Sequence, residues 1–168
     1  LIIGFIICLS SCGKDYVYRI EGELSNLEDQ TVYAVFEKDN YKVVDTVVCT
    51  KPGQFQIDQN EAGFHCVTIF FADKEHWVTA YLEPGETVKI TGDANSPLLL
   101  QVKGGRTNDK LTAFKKKIAP LLTELTNLSN SLNSKDLNDT IEETDIAARL
   151  ANVNMQLSEE AIPVSYTH

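Results

Sequence analysis

Four of the 168 residues are cysteines, and their thiols are the groups in this chain best suited to covalent chemistry. Thioredoxin-type exchange needs an attacking and a resolving thiol in a Cys-x-x-Cys arrangement, and no such pair occurs. Cys8 and Cys12 belong to the apolar opening of the chain, which leaves Cys49 and Cys66 in strand-like sequence. In an oxidising compartment these two would either pair, closing a loop worth roughly 3 kcal/mol, or remain as small buried apolar groups. Strand cysteines of opposite facing cannot reach each other, which favours two free thiols.

Metal chemistry has as little to work with. His65 and His76 fall on separate strands, His168 lies in the last residues, and there is no HExxH or Cys/His ladder. The run DLNDTIEETD lacks the glycine of a calcium loop and reads as the solvated start of a helix. There is no G-x-S-x-G, and the stretch from Gly104 to Asp109 is a strand-to-helix corner, not a phosphate loop. No catalytic residue, metal or cofactor is therefore expected. Trp77 and the nearby Tyr81 are the candidates for ligand binding, since they would line a groove; packing in the core or at a sheet edge is the plainer reading.

Cys12 has a different setting. LIIGFIICL is too short to span a bilayer, which takes about 20 apolar residues, but it has the length of the apolar core of a signal peptide, without a starting methionine or a basic stretch before it. Leu9-Ser10-Ser11-Cys12 resembles the bacterial lipobox. Cleavage between Ser11 and Cys12 would make Cys12 the new N-terminus, and its lipidated thiol would hold the protein at a membrane. Two or more acyl chains, at roughly 0.8 kcal/mol per buried CH₂, anchor stably where one does not. Gly13-Lys14-Asp15 then suits retention at an outer membrane better than at an inner one, without fixing the face; the periplasmic side is the expected location.

Alternation with a period of two marks YVYRIEGEL, TVYAVFEK, YKVVDTVVCT, QFQID, FHCVTIFFA, HWVTAYLE, ETVKITGD and LLLQVKG as strands. Asp39-Asn40, Lys51-Pro52-Gly53 and Glu83-Pro84-Gly85-Glu86 are turns, the last of type II. About eight strands at short regular spacing predict a mainly β fold, an antiparallel β-sandwich or barrel.

After Gly104-Gly105 the apolar spacing becomes three and four, through Leu111, Phe114, Ile118, Leu121, Leu122, Leu125, Leu128 and Leu132. Thr107 and Asn108 are capping types, and Pro120 should interrupt the helix. A second helix, capped by Asp139-Thr140, should run through Ser158 with Ile146, Leu150, Val153 and Leu157 in one stripe. The pair predicts a helical hairpin. AIPVSYTH continues no pattern and resembles translated adapter sequence, so the natural chain is expected to run on. The expected organisation is a signal peptide over 1–11, a β domain over 12–106, a helical hairpin over 107–162 and a tail over 163–168. The net charge of −9 argues against nucleic acid, whose phosphates demand clustered Lys and Arg.

Five motifs in register carry a family resemblance: Tyr18, Ile20, Gly22 and Leu24; Val44-Asp45-Thr46-Val47; Gly53, Phe55 and Ile57; Leu82 to Glu86; and Gly104, Asn108, Asp109 and Leu111. Together with the lipobox they resemble the N-terminal β domain, a domain of unknown function, of thioredoxin-like (AhpC/TSA-type) lipoproteins of Bacteroidetes, over roughly Asp15 to Phe114. The resemblance implies an envelope protein in which a helical segment leads on to a thioredoxin fold with Trp-Cys-x-x-Cys. It implies thiol-disulfide exchange or peroxide reduction for such a parent, and an accessory role for this chain. The other expectation is a stand-alone lipoprotein that binds a peptide or glycan. Asp45-Thr46-Val47 and Asp139-Thr140-Ile141 also fit the Asp-Thr-aliphatic O-glycosylation pattern of that phylum, with Thr140 the accessible candidate.

Overall fold

A computed structural model describes residues 16–27, 30–134 and 140–165. The alternating stretches become β1 (Tyr18–Ser25), β2 (Thr31–Glu37), β3 (Lys42–Val48), β4 (Gln54–Gln59), β5 (Cys66–Phe70), β6 (Trp77–Tyr81), β7 (Thr87–Asp93) and β8 (Gln101–Lys103). They form two four-stranded sheets of order β4-β1-β7-β8 and β3-β2-β5-β6. The sheets pack as an open sandwich, because each strand puts its alternate apolar residues inward. Tyr18, Ile20 and Leu24 of β1, with Phe55, Ile57, Val88 and Ile90, meet Val32, Ala34, Phe36, Val67, Ile69 and Val78 of the other sheet. Each fully buried large side chain contributes roughly 1.5–3 kcal/mol. Phe64 joins the layers, its ring 5.3 Å from that of Phe36 and 6.3 Å from that of Tyr18.

Two details depart from the sequence expectation. β1 pairs with β7 in parallel, while the other pairings are antiparallel. Periodicity fixes which side chains face inward and carries no information on strand direction. The apolar run before β8 is also not strand throughout: Pro97–Leu99 form one 3-10 turn, with proline at its start.

The helical part divides where proline predicted. α1 (Arg106–Lys117) ends at Ile118, and α2 (Ala119–Ser134) begins with Pro120 in its first turn, where a missing N–H costs nothing. α3 (Thr140–Ser165) runs past Ser158, so Pro163 falls in its last turn. Leu128, Ile146 and Val153, with Leu121, Leu125, Leu150 and Leu157, form a second small core between α2 and α3, separate from the sandwich core. Arg149 to Glu124 is a surface pair along this hairpin, and Lys117 at the end of α1 pairs with Glu160 of α3.

α1 closes one side of the sandwich. Its two buried polar residues, Asn108 and Thr112, stand one turn apart and each serves the backbone of an edge strand. Asn108 accepts the Tyr81 N–H at 2.8 Å and donates to the Tyr81 carbonyl at 2.7 Å and the Gly104 carbonyl at 2.6 Å. Thr112 accepts the Val102 N–H at 3.1 Å and donates to the Val102 carbonyl at 2.5 Å. Thus Asn108 is not a cap on its own helix. It seals β6 at Tyr81, as Thr112 seals β8 at Val102, positions where an uncovered edge would invite foreign pairing. The helix start is held instead by Glu83, which accepts the Arg106 N–H at 2.8 Å, and by Asp109, which accepts the Gly104 N–H at 3.1 Å.

On the opposite side β3 is an edge strand with exposed Val44 and Val48. Asp45 projects between the inward-facing Val43 and Val47, a charge that opposes edge-to-edge pairing.

Candidate functional site

The outer faces of the two sheets differ in chemistry. That of the β1 sheet carries Arg19, Glu21, Glu23, Gln56, Asp58 and Lys89. Arg19 and Asp58 form a two-pronged ion pair there at 2.6 Å, which raises the guanidinium and lowers the carboxyl from their ordinary values. The outer face of the β2 sheet is apolar and hydroxylic. Cross-strand register places Thr46, Tyr33, Phe70 and Trp77 in one row and Val44, Val35, Thr68 and Thr79 in the next. The third row, Lys42, Glu37, Cys66 and Tyr81, carries its charges at one end only.

Trp77 and Tyr81 both stand on this face, 53% and 43% exposed. Core packing is therefore excluded for both, and an edge position holds. The Phe70 and Trp77 rings lie 6.1 Å apart at 40°. Beyond the edge, a groove of about 270 Å³ runs between β6 and α1. Val78, Val102 and Thr112 form its floor, Trp77, Thr79 and Tyr81 one wall, and Leu98, Leu111 and Lys115 the other. Sequence reasoning reached the two aromatics and missed Leu98, Leu111 and Lys115. The usable signal was the one-turn spacing of Leu111 and Lys115, which puts them on one face of α1.

The backbone of this wall is specific. β5 and β6 exchange bonds at the Leu82–His65 and Phe71–His76 pairs, so Trp77, Thr79 and Tyr81 turn their N–H and C=O groups away from β5. Asn108 takes those of Tyr81. Among the described residues no group takes those of Thr79. Lys115 is half-buried with no carboxylate partner among the described residues, and burial pushes its ammonium below the ordinary lysine value.

The thiols are placed against exchange chemistry. Cys49 follows β3 beside the Gln30 end of β2 and is buried inward. Cys66 lies beside Glu37, at the other end of β2, facing outward. Both are free, as opposite facing requires. Burial raises the Cys49 thiol, and burial followed by the Glu37 charge and hydrogen bond raises that of Cys66. Both shifts diminish the thiolate, which is the nucleophile.

His65 pairs with Asp39 at 2.7 Å and His76 with Asp73 at 2.5 Å. Among the described residues no three of His, Cys, Asp and Glu converge as metal ligands. Ser11 and Cys12 lie outside the described residues, as does Asp139. Thr140 opens α3, and Thr46 is exposed on β3. No helix among the described residues is long and apolar enough to cross a membrane.

The family model described as Domain of unknown function (DUF4369) matches residues 18–111, from the first residue of β1 into α1. The chain belongs to this family. The DUF4369 span contains the whole sandwich and the Asn108 seal, and it ends at the groove wall with Leu111. No curated protein and no solved structure matches the chain.

Proposed function

We propose that this chain is the non-catalytic N-terminal module of a lipid-anchored, periplasmic thiol-disulfide oxidoreductase-like lipoprotein of the Bacteroidetes type. In this reading Cys12 carries the lipid, the DUF4369 sandwich stands at the outer membrane, and the α2–α3 hairpin leads on to a thioredoxin-like domain. The observation that carries it is the state of the thiols. Cys49 and Cys66 stand free at opposite ends of β2, with no resolving thiol in reach and with burial raising both thiols, so the exchange chemistry that the family resemblance implies falls to another domain. The hairpin supports a spacer role, since it has its own apolar seam.

The test is insulin-disulfide reduction by the purified chain with dithiothreitol as electron donor. The rate should equal that of dithiothreitol alone, and a rate that rises with protein concentration would sink the non-catalytic reading. A second reading, a stand-alone lipoprotein binding module, is favoured by the exposure of Trp77 and Tyr81. The genomic frame downstream of Pro163 separates the two: Trp-Cys-x-x-Cys there supports the first, and a stop codon supports the second.

A further inference from the structure

We propose that the groove between β6 and α1 binds an extended acidic peptide segment. Three independent features of the groove define this occupant. The free N–H and C=O of Thr79 offer the pairing that an extended backbone makes and a globular surface or sugar ring does not. The Asn108 seal at Tyr81 closes the groove at one end, so the segment pairs alongside Trp77 and Thr79 only. Its alternate side chains then fall toward Trp77 on one side and toward Leu98 and Leu111 on the other.

The charge of the segment follows from α1. This 12-residue helix carries Arg106, Lys110, Lys115, Lys116 and Lys117 against Asp109 alone, a net +4 (five minus one) in a chain of net −9. Lys117 is engaged by Glu160, whereas Lys115 faces the groove with no acceptor among the described residues. A carboxylate on the bound segment completes Lys115, and the remaining helix charges favour its approach. A neutral glycan would use the aromatic rings and leave both Lys115 and the Thr79 backbone unmatched.

Trp77 is the sole tryptophan, so intrinsic fluorescence reads the groove directly. The probe is the blocked peptide acetyl-Val-Glu-Val-Glu-Val-amide, titrated into the full chain beside its Val-Lys-Val-Lys-Val counterpart and cellohexaose. The acidic peptide should change Trp77 emission saturably and bind at least about tenfold more tightly than the basic one, with affinity falling as salt is raised. Lys115→Gln and, independently, Leu98→Glu should each weaken it about tenfold while the far-ultraviolet circular dichroism stays that of the parent. Leu98 is exposed, so its substitution leaves the core intact. Absence of a saturable change at millimolar peptide, equal binding of the basic peptide, or binding that survives both substitutions would overturn the proposal. So would a response to cellohexaose without one to the acidic peptide, which would assign the groove to a glycan.

Discussion

Asn108→Ala is expected to cost about 3 kcal/mol of folding stability. The side chain is 2% exposed and satisfies three backbone groups at once, on Tyr81 and Gly104. Alanine leaves all three without their partner, and each unsatisfied buried group costs roughly 1–3 kcal/mol, less where water enters the vacated space. For a domain of this size the midpoint of thermal unfolding should fall by about 15 °C. Asn108→Asp should be no better, because a carboxylate can accept the Tyr81 N–H but has no donor for the two carbonyl oxygens. Urea unfolding followed by Trp77 emission measures the loss. A cost below about 1 kcal/mol for both variants would mean that α1 does not seal the β6 edge.

Gly22→Val should be more damaging still. Gly22 faces the core on β1, directly opposite Phe55 on β4, and the Phe55 ring occupies the place of the absent side chain. A Cβ added at Gly22 would lie 2.1 Å from the ring carbon Cζ. No rotation within a packed core relieves such an overlap, so Phe55 must leave and the sheets must part, at a cost of about 3 kcal/mol or more. The double variant Gly22→Val, Phe55→Ala should recover part of this loss, because the ring that clashes is gone. Circular dichroism melts of the two single variants and the double variant give the coupling energy. Strict additivity would show that the Gly22–Phe55 contact is not what makes valine intolerable.

These residues show what the sequence could and could not disclose. The alternation of Tyr18, Ile20 and Leu24 announced β1 and its buried face, and Pro120 announced the break between α1 and α2. Gly22 and Phe55 appeared in two separate motifs, but their contact depends on β1 pairing with β4 across a whole hairpin. Asn108 looked like a helix cap because Asn caps helices by local bonds; its actual partners on β6 lie 27 residues away. The parallel pairing of β1 with β7 is likewise invisible to periodicity.

The groove was half legible. Trp77 and Tyr81 stood out by type, but alternation alone could not say which of the two sheet faces was covered. Lys115 lies within the run Lys115-Lys116-Lys117, whose sequence says nothing of burial, and only the approach of the Pro97–Leu99 turn and β6 to α1 half-buries it. The five family motifs turn out to be largely fold-making. Glu83 of the Glu-Pro-Gly-Glu turn holds the start of α1, and Asn108 and Asp109 lock the corner at Gly104.

The central claim, a module held at a membrane by lipidated Cys12, is tested most directly by fractionation. The chain, expressed behind a lipoprotein signal peptide that ends at Ser11, is produced in a lipoprotein-processing bacterium beside its Cys12→Ser variant, and each is assayed in membrane and soluble fractions. The parent should sediment with the membrane and enter the detergent phase on Triton X-114 partition. Cys12→Ser should appear in the soluble fraction, because no acyl chain remains to anchor it. Equal membrane retention of both proteins would contradict the account.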